Sequence, residues 1–592
     1  MLLVLAFATY LSIFLLLIPA NGHAMGGDYA LHMPNMIAGY YWFLKNGAFA
    51  IPWFNPGECG GIPFIADFNV GYYTFPQWAS FILGPLAALR LTFAVFAAIG
   101  AIGFFVLMRG PFRVSQWAAL SSAVLFLFSG FYPYRMAVGH ITFHAFTLVP
   151  WLAWAGLAVQ PGAQPSLRAS CLSAISVVGG GLIIAYMIHS GMVHAIPVGI
   201  LAVAVMFLIH GQLWGHRWQP WLILGGSIVV GIAFSAQRLA AAVAFFSYFP
   251  RDIYPLAGFR SLFDTVQIAF RSVFWHTPTE TARSALVNYP FWPFGRHEWE
   301  YGIGPVALLL LVPGAAASLW QAWRNGGFAP RRLARAIPVG IAVAFALVIP
   351  LLLNWYQPHW NAILKALPYF GSSSTLIRWF ALYPLLVTLL SGLAFDRVIP
   401  QGMLGAVGAG VIVASTITWN LLTDRTYYRN QSYDGSPIEQ AWRAARSPSQ
   451  VPVVRDMIVG DRANPLLDRN NAIILGHSQV ACYQPVFGYR LETMMFGPIR
   501  TGPALANVAD DVLNVKNPAC YLFPRENSCR AGDHFRTDQL EAAQHFLRYE
   551  PFAFQISSVQ RIADFVTYCS VLLAGLLLVA AIAIVIGARA GK

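Results

Sequence analysis

The sequence predicts a polytopic α-helical membrane protein with a C-terminal soluble domain, on three observations. Of its 592 residues 57% are hydrophobic and only 10% charged, against roughly 25% charged in a soluble protein. The apolar residues fall in runs such as 2–20 and 571–587, each long enough to cross a hydrocarbon core of about 30 Å as a helix. One late segment, 421–561, breaks the pattern with 15 basic and 14 acidic residues among 141 and with Pro, Asn and Gly throughout. This composition excludes a cytosolic enzyme, a disordered chain and a small disulfide scaffold.

About twelve spans are expected. The first, 2–20, has no Lys or Arg before it and no small-x-small site after it, so it reads as an uncleaved span. A polar, aromatic-rich loop, 21–89, follows. Further spans are expected near 90–108, 114–131, 143–160, 169–188, 192–210, 220–237, 303–323, 336–354, 376–395, 399–420 and 562–587. With both termini inside, the inner loops and tail hold Arg109, Arg113, Arg168, Arg217, Arg324, Arg331, Arg332, Arg335, Arg397, Arg589 and Lys592. Those eleven face one acid, Asp396, and account for ten of the thirteen net positive charges. The charge therefore records orientation by the positive-inside rule and gives no sign of nucleic acid.

The unusual sequence then lies outside, in the loops 21–89 and 238–302 and in the segment 421–561. That segment reads as a mixed α/β or β-rich domain, with Ala472-Ile473-Ile474-Leu475 a strand candidate. Cys171 and Cys569 fall in spans and read as inert apolar residues. Cys59, Cys482, Cys520 and Cys529 are external, where disulfides form. Cys520 with Cys529 is the first choice of pair, and Cys59 with Cys482 would tie the first loop to the outer domain; spacing leaves the connectivity open.

The first loop carries Gly26-Gly27-Asp28-Tyr29, then Pro56-Gly57-Glu58-Cys59-Gly60-Gly61 and Asp67-Phe68-Asn69, so Asp28, Glu58 and Asp67 face a single Lys45. Carboxylates gathered at an interface serve as a general base or as ligands for a hard cation. Asp28 after two glycines equally suits a helix cap, and Glu58 and Asp67 equally suit solvated turns. The stretch 31–44 reads as a helix lying along the membrane surface. His140 and His144, like His189 and His194, lack the Cys or His-Glu-x-x-His context of a zinc site. Interfacial hydrogen bonding is the better reading. No P-loop, Rossmann glycine pattern or Gly-x-Ser-x-Gly elbow occurs.

The order of one span, Gly-Asp, a helix, a Trp-Pro-Gly-rich loop and Tyr72-Tyr73-Thr74-Phe75-Pro76 resembles the GT-C superfamily of polyprenyl-phosphate-dependent glycosyltransferases, in particular the YfhO-like bacterial membrane proteins. The resemblance continues in His297-Glu298-Trp299-Glu300-Tyr301-Gly302 and in Ile377-Arg378-Trp379-Phe380. It covers 1–420 and implies a GT-C-like membrane domain with the first outer loop catalytic. It further implies an active site on the outer face of the bacterial cytoplasmic membrane, followed by the outer domain 421–561 and a last span with its tail, 562–592.

By that resemblance Asp28 is the general base, or the carboxylate that positions an acceptor. The acceptor is a glycan, lipid or protein, and its hydroxyl displaces a polyprenyl phosphate from a sugar with inversion. Arg378 is the first candidate for the leaving phosphate, followed by Arg238, Arg251 and Arg260. Glu58, Asp67, His297, Glu298, Glu300 and Tyr301 are candidates for acceptor or metal, and His32, His140 and His194 for contact with sugar hydroxyls. The superfamily leaves room for Mg2+ or Mn2+, although no dense carboxylate cluster demands one. The motifs Cys482-Tyr483-Gln484-Pro485 and Asn517-Pro518-Ala519-Cys520 are no general feature of these proteins and say little about chemistry. Two other readings compete: a transporter or flippase of lipid-linked glycans, and a non-catalytic scaffold for envelope assembly. Almost all acids sit in outer loops rather than inside spans, which favours chemistry over transport.

Overall fold

Long uncharged apolar runs satisfy their backbone in hydrocarbon by coiling into helices, and the computed structural model of the protein is built mainly from such helices. It describes residues 1–159, 167–215, 218–249, 256–275, 279–288, 294–325, 330–373, 375–480, 483 and 499–590; Arg251 and Cys482 lie outside them. Among the described residues nine helical segments are long and apolar enough to cross a membrane: Pro85–Arg109, Ile141–Ala158, Ala169–His189, Ile196–Trp214, Val306–Arg324, Ala336–Asn354, Ile377–Val398, Met403–Leu422 and Ser558–Ile584.

Three expected spans differ. The first is a shorter apolar helix, Leu2–Leu17. The stretch 114–131 yields only the 12-residue helix Gln116–Leu127, buried from Ala118 to Leu127. It starts at Ser115, whose hydroxyl accepts from the Ala118 amide at 3.2 Å and whose own amide donates to Asp396 at 2.6 Å. The stretch 220–237 is bent by 69° between Gln219–Phe234 and Ala236–Tyr248, with Ser235 at the break.

The segment 421–561 holds two three-stranded sheets. In one, Asp456–Ile458 runs parallel to His477–Gln479 and antiparallel to Gly502–Pro503. In the other, Val512–Lys516 is flanked antiparallel by Asn507–Ala509 and His534–Arg536. Residues 472–475 are no strand but part of a 3-10 helix, Arg469–Leu475, stopped by the left-handed Gly476. Side-chain bonding sets that turn, because the Asn471 amide donates to the Pro465 carbonyl at 2.8 Å and its oxygen accepts from Tyr433 at 2.7 Å. Cys520 and Cys529 form a disulfide, with Cα atoms 6.0 Å apart, and Cys59 is also disulfide-bonded.

This segment and the first loop share one apolar core. Met25 and Tyr433 exchange backbone hydrogen bonds of 2.8 and 3.1 Å. The hairpin of Phe54–Asn55 and Ile62–Pro63 inserts its tip into the segment, where the Gly60 amide donates to Ser478 Oγ at 2.9 Å. The helix Tyr29–Asn46 is buried from Tyr29 to Phe43. It therefore lies inside this assembly rather than along a membrane surface.

Candidate functional site

Two glycines bring Asp28 and His140 together. The Asp28 amide donates to the Val138 carbonyl at 3.0 Å. A Cβ on Gly26 would sit 2.3 Å from the Val138 backbone, and one on Gly139 (φ +103°) 2.3 Å from the Tyr29 amide nitrogen. Only hydrogen at both positions permits that approach. His140, next in the chain, then reaches Asp28, with Nε2 2.5 Å from Oδ2. Asp28 is the N-cap residue of the Tyr29–Asn46 helix but makes no capping bond, so its carboxylate is turned into the site and not spent on the helix.

From His140 the site continues as a chain of polar groups. The His140 and His297 rings meet edge to face at 4.8 Å, and His297 Nε2 lies 3.7 Å from Glu298 Oε1. Both Glu298 oxygens accept from guanidinium groups, Oε1 from Arg378 at 2.8 Å and Oε2 from Arg135 at 2.9 Å. Arg135 also donates to the Tyr301 hydroxyl at 3.2 Å, which donates to the Ile377 carbonyl at 2.8 Å. Short 3-10 turns, Arg296–Glu298 and Ile377–Ala381, present Glu298 and Arg378 from the two sides. Arg135 is fully buried, with Nε and Nη1 unpartnered, and Arg378 is 20% exposed.

The segment 421–561 also reaches this cluster. The Tyr483 hydroxyl donates to Asp28 Oδ1 at 2.6 Å. Arg469 donates to the Gly27 carbonyl and stacks on the Tyr483 ring at 5.0 Å. Burial pushes the Asp28 carboxyl up, but His140, by charge and hydrogen bond, and the Tyr483 hydroxyl outweigh it and hold Asp28 far below the usual carboxylate range. Burial likewise keeps His297 neutral, with its pKa pulled down to about 3, and His32 at about 4. Glu298 is held well below its ordinary range: burial opposes ionisation, and Arg378 and Arg135 overcome it.

The remaining predicted residues divide. His32, one turn along from Asp28, is buried within electrostatic reach of Asp28 and His140. Glu300 is tied to Arg296 at 2.7 Å and to the Tyr428 hydroxyl, joining the site loop to the start of the outer segment. Arg238 is buried, and its guanidinium donates to the carbonyls of His189 (2.7 Å), Asp67 and Val70 (both 2.6 Å). It clamps the first loop to a helix end. Arg260 is exposed and bonds the Ser284 carbonyl at 3.3 Å. The His194 carbonyl accepts from the Tyr369 hydroxyl at 2.9 Å. The Asp67 carboxylate accepts from the Asn69 amide at 2.8 Å, closing its own turn.

Glu58 is buried with neither carboxyl oxygen hydrogen-bonded, so it is no solvated turn residue. Burial, helped by Asp67, pushes its pKa well above the ordinary value. Folding then favours its neutral form, and the associated stability is full below the unfolded pKa and lost as pH rises through the folded one. Glu58→Gln is neutral throughout. We expect it to match wild type near pH 4 and to be the more stable protein at pH 8 in thermal unfolding; equal pH dependence of the two proteins would refute this.

Sequence reasoning missed Arg135, Tyr483, Arg469 and Tyr428. Arg135 carried a signal, as a lone arginine within the apolar stretch 114–158; the other three come from across the fold and carried none.

His140, His297 and Glu298 bring one ligand atom each within 4.8 Å of one another. Both Glu298 oxygens already serve fixed cations, and hard ions such as Mg2+ and Mn2+ prefer several oxygen ligands. This donor set does not fit them. Comparison with protein-family models, curated proteins and solved structures gives no match.

Proposed function

We propose that the chain is a polytopic protein of the bacterial cytoplasmic membrane and a GT-C-type, inverting glycosyltransferase. It would move a sugar from polyprenyl phosphate to an acceptor hydroxyl on a glycan, lipid or protein at the outer face. One observation carries the reading: the Asp28 carboxylate, free of any capping role, stands in one connected cluster with two guanidiniums that share the single carboxylate of Glu298. Arg378 lies within electrostatic reach of Asp28. Transfer from a lipid phosphate makes two demands, a proton acceptor for the incoming hydroxyl and a cation for the departing phosphate.

In this scheme Asp28 receives the acceptor proton, with His140 fixing its orientation. The new bond forms at the anomeric carbon as the carbon–oxygen bond to phosphate breaks on the opposite face. Arg378, partly exposed, meets the phosphate, and Glu298, itself fixed by Arg135, holds Arg378 in place. The outer segment supports the carboxylate through Tyr483.

Proteoliposomes of the purified protein, given a labelled polyprenyl-phosphate sugar and an extract of envelope acceptors, test the reading. Movement of the lipid-linked sugar across the bilayer with no new glycosidic product would assign the chain to transport instead. The same assay reads Tyr483→Phe. Loss of the Tyr483 hydrogen bond to the charged carboxylate should lower transfer by about tenfold or more, and undiminished transfer by folded Tyr483→Phe would remove Tyr483 from the mechanism.

A further inference from the structure

At the end of the helices opposite Asp28, a cavity of about 130 Å³ opens between Leu157 and Val159, Phe207–Gly215 and Pro220–Trp221. Its walls are aromatic: Phe207 and Trp221 meet edge to face at 5.5 Å, and Trp214 forms one side. Its charge comes from Arg113, whose guanidinium stacks 5.0 Å from the centre of the Trp214 ring and pairs with no carboxylate among the described residues. His210 also lines the cavity, its ring edge-on to Phe112 at 5.5 Å.

Among the described residues no Asp or Glu lines the cavity; Asp396 accepts from the amide of Ser115, two residues on from Arg113, at 2.6 Å. Beside the cavity the helix surface turns apolar and outward: Leu213, Trp214, Trp218, Leu222 and Val229 are all exposed, Trp218 by 83%. Tryptophan at the end of an apolar helix marks the headgroup level of a bilayer, and exposed apolar rows below it face acyl chains.

We infer that this cavity binds the headgroup phosphate of an anionic phospholipid, with its acyl chains lying along the outward face of Gln219–Phe234. The phosphate oxygens accept from Arg113, a planar donor suited to them. The lining selects the lipid class: its fixed charge is the Arg113 guanidinium, which attracts the net negative headgroup of phosphatidylglycerol over net-neutral phosphatidylcholine. The inference is independent of the proposed transferase activity.

The test uses the full chain in nanodiscs of equal phosphatidylglycerol and phosphatidylcholine, re-extracted in detergent, with bound lipid counted by mass spectrometry. One arginine at a membrane surface corresponds to about fivefold in affinity. Wild type should retain phosphatidylglycerol about fivefold over the input ratio, Arg113→Gln should fall back toward that ratio, and Arg397→Gln, at the same end but outside the cavity, should retain the preference. Equal loss in both variants would mean diffuse surface charge and overturn the site. Full displacement of the lipid by inorganic phosphate would assign the cavity to a soluble anion and overturn it also. If Arg113→Gln does not elute as a folded protein, wild type alone decides, since retention of both lipids at the input ratio refutes the proposal.

Discussion

Asp28→Asn should lower sugar transfer by about 10²- to 10⁴-fold, the range that a positioned general base contributes. Asparagine keeps the shape and can still accept from Tyr483, but it cannot take the acceptor proton. The loss should appear in the rate at saturating donor and not chiefly in donor KM, because the phosphate contacts come from Arg378. Elution of the variant as a folded protein separates chemistry from folding. Undiminished transfer by folded Asp28→Asn would end the assigned mechanism.

The second large effect is on stability. Glu298 is buried between Arg135 and Arg378, and removing one partner of a buried ionic group leaves uncompensated charge costing about 3–5 kcal/mol. Glu298→Ala should therefore lower thermal stability in detergent by an amount of that order, whatever the protein's activity. Glu298→Gln keeps an acceptor oxygen for one guanidinium and should lose less. Adding Arg135→Met to Glu298→Ala removes a stranded buried cation and should recover part of the loss. If Glu298→Ala leaves unfolding unchanged, the three groups are not the tight buried cluster described.

Apolar runs were the most legible part of the chain, because a helix that must bury its own backbone in hydrocarbon needs nothing from elsewhere. Length alone misled at 114–131: that run ends in a 12-residue helix enclosed by its neighbours, and a helix buried by protein reads like one buried by lipid. The stretch 472–475 has strand composition, yet side-chain bonds from Asn471 and the left-handed Gly476 turn it into a 3-10 helix, where local bonding beats propensity. In the site, Asp28, His140, His297, Glu298 and Arg378 were all visible as polar residues at the ends of apolar runs. Their grouping was not, since it depends on the backbone approach at Gly26 and Gly139. Arg238 was a candidate for the leaving phosphate, but three backbone carbonyls occupy it, a demand that no local pattern reveals.

The bond from Tyr483 to Asp28 joins residues 455 positions apart. Ribosomal synthesis delivers Asp28 early and Tyr483 only after most of the helices have been made. The carboxylate therefore stays without its final partner while those helices are made. Chains truncated before 421 would carry Asp28, His140, Glu298 and Arg378 yet lack the Tyr483 and Arg469 contacts, so the site is completed only once the outer segment has been made.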